Sequence, residues 1–310
     1  MRHTPLGRSG LRVSTLTLGT LGWGTDVDVD SAREHLTTYA EAGGTTIDTA
    51  HGYGLGQTEE IVGALIGDVI PREDVTIITK AGISRTSGDR VVDTSRGALM
   101  RQLDTSLSRM RTDHVDLWLV HTWSDEPALE ETLSALEWAV TSGRARYVGV
   151  SNYLAWQMAR AYSLLELARV PLVANEIEYN LLRRDAEHET VAAAEALGIG
   201  LLAWSPLARG ALTGKYRHNV PADSRAAGRP ALLEPYLDGH ARAVIEAVCT
   251  AADGLGASPG EVALAWLTGR PQVSGAVIGA RTLAQLTSAL KATELAVPDQ
   301  VIQALDEVSA

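Results

Sequence analysis

The chain has 310 residues, of which 45% are hydrophobic, and a formal net charge of −11. This charge argues against binding to nucleic acid or to an anionic membrane, because both need basic patches. No apolar run approaches the roughly 18 residues that span a membrane. The single cysteine, Cys249, excludes intramolecular disulfides and thiolate zinc sites, and we predict no metal site. We expect a cytoplasmic protein.

Strand and helix patterns alternate along the whole chain. The first 13 residues carry turn signals at Gly7 and at Ser9-Gly10, which predict a hairpin that closes the bottom of a barrel. Short apolar stretches, typical of strands buried on both faces, lie near 14–19, 45–48, 75–79, 115–120, 146–150, 172–176, 199–203 and 274–278.

Amphipathic helices lie between these strands. Two apolar stripes at helical spacing are Leu99, Leu103, Leu107, Met110 and Leu129, Leu133, Leu136, Val140. Thr94 or Ser95 can cap the first of these helices, and Gly143 lies just past the second. The pattern predicts a single α/β domain over residues 1–310, a (β/α)8 TIM barrel with an N-terminal β-hairpin and extra helices. An open, doubly wound sheet is the alternative architecture.

One stretch interrupts the alternation late in the chain. Residues 216–239 are rich in charge, proline and glycine, and they predict a long, mobile loop. Helical patterns at 240–255 and 260–268 follow it and precede the last strand.

Four polar residues stand where successive predicted strands end. Asp48 and Tyr53 follow TTID, Lys80 follows VTIIT, and His121 follows VDLWLV. Alone, each has an ordinary explanation: the Asp or Lys as a helix cap or surface charge, the Tyr or His as a core residue. Together they predict one site assembled at the carboxyl ends of the strands, where β/α barrels carry their chemistry.

A glycine-rich segment beside these residues imitates a dinucleotide-binding loop. The stretch GYGLG at 52–56 follows a strand and precedes a helix. The dinucleotide fingerprint G-x-G-x-x-G requires glycine at the sixth position, where this chain has Gln57. Lys80 also stands where an acidic residue would hold the ribose, so we do not predict a Rossmann site.

Several long blocks resemble the aldo-keto reductases, which are NAD(P)H-dependent carbonyl reductases built on the β/α barrel. In order along the chain, these blocks read LGRSGLRVSTLTLGT, IDTAHGYGLGQTEEIVGALI, DHVDLWLVH, GRARYVGVSN, NEIEYNLL, WSPLARGALTGKY and VIGARTLAQL. They cover nearly the whole chain and keep the family's spacing. The resemblance therefore implies a reductase of aldehydes and ketones.

The resemblance also assigns roles to the four polar residues. Tyr53 matches the general acid that protonates the alkoxide formed by hydride transfer. Lys80 would bring the phenol pKa down from about 10 towards the working range. Asp48 would keep Lys80 charged, and His121 would hydrogen-bond the substrate oxygen.

By the same resemblance, a series of further positions matches the family's cofactor site. Ser151 and Asn152 match the residues that bind the nicotinamide carboxamide, and Trp204 takes the position of the aromatic residue that stacks on the ring. Residues 205–215 match the loop over the pyrophosphate, and residues 279–285 match the adenosine end. The implied set is Gly19, Ser151, Asn152, Glu176, Trp204, Ser205, Pro206, Leu207, Gly210, Leu212, Lys215, Gly279, Arg281 and Gln285.

Three positions depart from the family pattern. Glu176 replaces a glutamine, and a carboxylate accepts hydrogen bonds but cannot donate them. Gly279 replaces a lysine that grips the 2′-phosphate, which leaves Arg281 as the nearby cation. Ala289 replaces an asparagine that contacts adenine. We expect NADPH to be the preferred cofactor, with NADH as the alternative.

The sequence identifies fewer residues of the substrate pocket than of the cofactor site. Trp23 and Trp123 are candidate walls, although each has a plain alternative as a surface or core aromatic residue, and Tyr216 with its loop would complete the pocket. We expect a small carbonyl substrate and a monomer or weak homo-oligomer. Two other hypotheses are an NADP-binding, redox-sensing regulatory subunit, as in potassium-channel β subunits, and a barrel isomerase or aldolase that uses Lys80 as a Schiff base.

Overall fold

A computed structural model describes residues 1–85, 89–217, 219–221, 227, 231, 233–236 and 238–310. It contains a closed barrel of eight parallel strands, so the open-sheet alternative is wrong. The barrel strands are Leu16–Gly19, Thr46–Asp48, Thr76–Ala81, Val115–Val120, Ala145–Ser151, Leu172–Glu178, Gly200–Trp204 and Val273–Ile278. Each strand overlaps its predicted stretch, because continuous apolar runs mark strands buried on both faces.

The N-terminal hairpin closes the bottom of this barrel, as predicted. Strands His3–Pro5 and Arg12–Ser14 pair antiparallel. The hairpin contributes Leu6, Leu11 and Val13 to a buried apolar cluster with residues from the barrel interior. The carboxyl ends of the strands therefore form the end of the barrel that the hairpin leaves open.

Helices surround the barrel, and both predicted stripes pack on the core, with Val140 half-buried against it. Ser95 caps the first of these helices by accepting a hydrogen bond from the Ala98 amide. The α-helices are Val29–Glu41, Gln57–Leu65, Arg96–Met110, Leu129–Thr141, Ala155–Leu167, Thr190–Leu197, Gly239–Leu255, Pro259–Thr268, Leu283–Lys291 and Asp299–Val308. Short 3₁₀ helices are Tyr53–Gly56, Arg72–Asp74, Asp185–Glu187, Ala208–Thr213 and Glu234–Tyr236. In the described part of the chain, no helix has the length and apolar character needed to cross a membrane.

Two segments outside the barrel bear on the predictions, a strand pair that was not predicted and the predicted long loop. A small antiparallel pair, Ile83–Ser84 with Val91–Val92, follows the third barrel strand; strands of two residues are too short to leave an alternating pattern. Part of the predicted loop at 216–239, including Gly228 and Pro230, lies outside the described residues, so its mobility stays a prediction. Within it, Leu233 and Tyr236 are buried.

Candidate active site

The site is positioned by the two-residue period of the barrel strands. Side chains two positions apart in a strand point to the same face. Residues of the interior apolar cluster include Ile78, Leu119, Ala174 and Leu202. Two positions further along lie Lys80, His121, Glu176 and Trp204. The same alternation that fills the barrel with apolar side chains thus brings polar ones together at its open end.

Lys80 is the centre of this group. Its Nζ donates a hydrogen bond of 2.5 Å to Asp48 Oδ2 and one of 3.2 Å to the Thr49 carbonyl. Glu176 Oε2 lies 3.2 Å from the same Nζ as a second ion-pair partner. The side chains of all three residues are at most 3% exposed. Lys80 therefore sits between two buried carboxyl groups.

Tyr53 and His121 complete the cluster. Tyr53 opens the 3₁₀ turn Tyr53–Gly56, and its ring centroid lies 5.5 Å from Lys80 Nζ. The Tyr53 and His121 rings pack edge to face, with centroids 5.8 Å apart. The structure thus brings together all four residues that the sequence placed in one site, while their chemical roles stay predictions.

The electrostatics of Lys80 favour a permanent positive charge. Burial opposes the ammonium form, but Asp48 and Glu176 outweigh burial and raise the pKa of Lys80. A Schiff base forms from the neutral amine. The raised pKa therefore argues against the aldolase hypothesis.

Burial disfavours the ionised forms of the two carboxyl groups beside Lys80 and raises their pKa values. Burial, followed by the charge of Asp48, raises the pKa of Glu176 to about 8, although Lys80 opposes the shift. Burial also raises the pKa of Asp48. Because Lys80 hydrogen-bonds Asp48, the ionised form belongs to Asp48 and the shared proton to Glu176 at neutral pH.

This assignment gives a testable pH dependence of stability. An acid whose pKa is raised by folding contributes stability below its unfolded pKa and loses it as the pH rises through its folded pKa. The free energy of unfolding of the wild type should therefore fall relative to that of Glu176→Gln between pH 4.5 and about 8. Urea titrations across this range measure the difference. Parallel curves would contradict the assignment, and Glu178→Gln on the same strand is the matched control.

Tyr53 and its neighbour His121 are both neutral at physiological pH. Burial raises the pKa of Tyr53, Lys80 lowers it, and the two carboxyl groups raise it again, so the net direction is upward. The expected effect of Lys80 is present but is outweighed. Burial, and then the charge of Lys80, lowers the pKa of His121 to about 3. Its Nδ1 has no hydrogen-bond partner among the described residues.

Ser151, Asn152 and Trp204 form a connected set beside this cluster. The Asn152 amide donates hydrogen bonds of 3.0 Å to the His121 carbonyl and to Ser151 Oγ. Its Oδ1 accepts one of 3.0 Å from the indole N–H of Trp204. Asn152 adopts a left-handed backbone, with φ 60°. The side chain of Asn152 thereby ties three strand ends together and orients the Trp204 ring.

The segment after Trp204 has an unusual backbone. Ser205, Ala208 and Arg209 have positive φ values of 51°, 48° and 56°, and non-glycine residues in this region are strained and cluster at functional sites. At Gly210, a Cβ would lie 2.9 Å from Lys215 Nζ, so the absence of a side chain makes room for the lysine. The predicted pyrophosphate residues Ser205, Pro206, Leu207, Gly210, Leu212 and Lys215 all belong to this segment.

The remaining cofactor positions lie around the last strand. Gly279 is exposed and a Cβ there would meet nothing within 4 Å. The Arg281 amide donates a hydrogen bond of 2.9 Å to Gln285 Oε1, which orders the start of the helix that follows. Gly19 packs so closely that a Cβ would lie 2.8 Å from a Val277 methyl group. Ala289 is buried.

The two candidate substrate walls differ. Trp23 is 1% exposed and belongs to the core, which favours its alternative as a core aromatic residue. Trp123 is half-buried and packs edge to face on Tyr153 and Trp156, with centroid distances of 5.2 and 5.3 Å. Tyr216 is buried. Trp123 therefore remains the better-placed candidate.

Comparison with known proteins identifies the family. The aldo/keto reductase family model matches residues 15–310. The chain belongs to the aldo/keto reductase family. A Bacillus subtilis protein named as the uncharacterized oxidoreductase YrpG is 34% identical over 99% of this chain and 96% of its own length. L-glyceraldehyde 3-phosphate reductase of Escherichia coli is 33% identical, over 94% of this chain and 87% of its own length.

A second kind of relative has a different printed role. A rice protein named as a probable voltage-gated potassium channel subunit beta is 34% identical, over 100% of this chain and 96% of its own length. Family membership and the enzymes among the relatives support an oxidoreductase activity. Aldo/keto reductases generally use NAD(P)H, and the comparisons leave open which nucleotide this member takes.

The described residues fit such a cofactor. Glu176 is paired with Ser151 in the strand register, and its buried Oε2 makes no hydrogen bond within the described part of the chain. An unused acceptor at this place suits an amide N–H of a ligand. The described residues contain no group of His, Cys, Asp and Glu suited to a metal ion.

A supporting network behind Tyr53 was not predicted from the sequence. Glu59 is fully buried and accepts hydrogen bonds from Arg109, at 3.1 Å, and from Thr79, at 2.8 Å. Arg109 also donates to the His51 carbonyl at 3.1 Å. A Cβ at Gly56 would lie 2.4 Å from the guanidinium carbon, so glycine lets Arg109 pass beneath the turn. The sequence contained one sign of this network, which is the position of the acidic residue Glu59 close to the apolar run Ile61-Val62.

Proposed function

We propose that this aldo/keto reductase reduces aldehydes and ketones to alcohols with a nicotinamide cofactor, preferably NADPH, and that Tyr53 is the proton donor. The observation that carries the proposal is the cluster at the open end of the barrel, where the buried pair Asp48–Lys80 lies beside the partly exposed rings of Tyr53 and His121. A phenol beside a permanently charged ammonium is suited to protonating an alkoxide.

Each residue of the cluster has a distinct part in this reaction. The cofactor supplies hydride to the carbonyl carbon when it is bound. Tyr53 gives its proton to the carbonyl oxygen, and Lys80 stabilises the phenolate that remains. Asp48 keeps Lys80 charged and fixes its direction through the 2.5 Å hydrogen bond.

His121 positions the substrate oxygen. Its neutral imidazole carries one proton, and a buried N–H without a partner is more costly than a bare acceptor nitrogen. Because Nδ1 has no described partner, the proton belongs on Nε2, from which it can be donated to the substrate.

The cofactor is held by three groups of residues beside the cluster, one for each part of the molecule. Ser151, Asn152 and Glu176 bind the carboxamide, and Trp204 stacks on the ring. The strained segment from Ser205 to Lys215 covers the pyrophosphate with backbone amides and one charge. Arg281 and Gln285 meet the adenosine end. Trp123 forms one wall of the substrate pocket.

A spectrophotometric assay tests the proposal. Purified protein with NADPH and a panel of aldehydes and ketones should consume the nicotinamide absorbance and form the matching alcohols. NADP⁺ binding without turnover on any member of the panel would reject the reductase function. Absence of nucleotide binding would reject the whole proposal.

The cofactor preference is expected to depend on Arg281. A charge-assisted hydrogen bond to the 2′-phosphate is worth roughly 1.5–3 kcal/mol, or about 10- to 150-fold in affinity. Arg281→Ala should therefore weaken NADPH by that factor and leave NADH nearly unchanged, as measured by fluorescence titration of both nucleotides. Arg281→Lys, which keeps the charge, should retain part of the preference. Equal weakening of both nucleotides would show that Arg281 does not read the phosphate.

A regulatory role is the second candidate. The match to a probable potassium channel β subunit favours it, since that relative aligns along the whole chain. In such a role the protein binds NADP(H) and turns over slowly. The same assay separates the two, because tight nucleotide binding with negligible reduction across the carbonyl panel is the regulatory outcome.

A further inference from the structure

The Asp48–Lys80–Glu176 cluster contains more acid than base. Lys80 Nζ lies 2.5 Å from Asp48 and 3.2 Å from Glu176, and all three side chains are at most 3% exposed. Two ionised carboxylates beside one ammonium would leave a net negative charge in a medium of low dielectric constant. The cluster is neutral only while one carboxyl group holds a proton.

The hydrogen bonds indicate which carboxyl group this is. Lys80 donates to Asp48 and to the Thr49 carbonyl. The Glu176 carboxyl group lies beside Lys80 and Asp48, and its Oε2 makes no hydrogen bond within the described residues. The geometry therefore stabilises the ionised form of Asp48 more than that of Glu176. Glu176 is the carboxyl group that can change its charge with least loss of contacts.

The other groups that face Glu176 keep their charge near neutral pH. The raised pKa values of Lys80 and Tyr53 hold them protonated, and the pKa of His121, lowered to about 3, leaves it neutral. Ser151 and Trp204, on the two neighbouring strand ends, carry no charge. Asp48, whose pKa is also raised by burial, is the alternative proton carrier. Glu178, further along the strand, hydrogen-bonds Tyr236 instead.

We propose that Glu176 makes cofactor binding selective for redox state: it releases its proton to solvent when the oxidised cofactor binds and keeps it when the reduced cofactor binds. This inference rests on the proposed function, in which Glu176 holds the nicotinamide carboxamide. The oxidised ring carries a positive charge and the reduced ring carries none. A buried carboxylate beside the ring stabilises the former, whereas the glutamine usual in the family cannot ionise.

The expected effect follows from proton linkage. Below the pKa of Glu176, about 8 in the free protein, release of one proton makes the affinity for the oxidised form rise about tenfold per pH unit relative to the reduced form. The 2′-phosphate titrates in both NADP⁺ and NADPH, so its contribution cancels in the ratio of their Kd values. The ratio is therefore the quantity to measure.

Isothermal titration calorimetry provides the test. NADP⁺ and NADPH are titrated into the protein between pH 6 and 8.5 in two buffers of different ionisation enthalpy, which gives both Kd and the number of protons released. Near pH 6.5 the wild type should release close to one proton more with NADP⁺ than with NADPH, since the 2′-phosphate contributes equally to both. Glu176→Gln should abolish the difference and flatten the Kd ratio, while Glu178→Gln should behave as the wild type.

The outcomes separate this inference from the proposed function. If neither nucleotide binds, the proposed function fails, and the inference with it. If both bind and the wild type releases equal numbers of protons with each, only the inference is overturned. If the difference in proton release persisted in Glu176→Gln, Asp48 would be the group that releases the proton, and the inference would again be overturned. If Glu176→Gln and Glu178→Gln reduced the difference in proton release equally, the effect would come from net charge and not from the contact between Glu176 and Lys80. That result would also overturn the inference.

Discussion

Replacement of Tyr53 by phenylalanine is expected to lower kcat for carbonyl reduction by about 10²–10⁴-fold, the usual contribution of general acid catalysis. The substitution removes one hydroxyl group and keeps the ring that packs edge to face on His121. The Asn152–Trp204 hydrogen bond lies outside the change, so cofactor affinity should stay close to that of the wild type. Steady-state kinetics with saturating aldehyde, together with fluorescence titration of NADPH, measure the two quantities separately.

Tyr162→Phe is the matched control for this experiment. It removes the same atom from a tyrosine on the outer helix Ala155–Leu167, where Glu166 is the hydrogen-bonding neighbour. Its kcat should equal that of the wild type. Near wild-type turnover in Tyr53→Phe would exclude Tyr53 as the donor, and a parallel loss of NADPH affinity would point to a disturbed site instead.

The barrel could be predicted from the sequence because each of its strands and helices is marked by a pattern among residues that are close together in the chain. Each barrel strand is a short apolar run, and the amphipathic stripes mark the helices between them. The site followed from the same pattern, since Lys80 and His121 end such runs and parallel strands end at one face. The hairpin at Ile83–Ser84 left no signal because two residues cannot alternate.

The interactions that tune the site could not be predicted in this way, because they join distant residues. The contact between Glu176 and Lys80 spans the barrel, and its effect depends on burial that the sequence does not state. The net rise in the pKa of Tyr53 has the same origin: Lys80 acts as expected, but burial outweighs it. The Glu59–Arg109 pair likewise joins two helices 50 residues apart in sequence.

Lys80→Met is expected to damage both the reaction and the fold. Removing the ammonium takes away the charge that stabilises the Tyr53 phenolate, and loss of one such stabilising group typically lowers kcat by about 10²–10³-fold. It also leaves Asp48 as a buried carboxylate without its partner, which typically costs about 3–5 kcal/mol of stability. Urea denaturation and steady-state kinetics measure the two losses, and Lys291→Met on an exposed helix end is the control.

A second substitution separates these two effects of Lys80. In Lys80→Met with Asp48→Asn, no unpaired charge remains, and replacing both members of a buried pair is often neutral for stability. The double variant should therefore recover most of the free energy of unfolding but none of the activity. The stability deficit of Lys80→Met alone should shrink at acid pH, because Asp48 then takes up a proton. Recovery of turnover in the double variant would mean that Lys80 acts only by holding the fold, and that Tyr53 donates its proton without the ammonium.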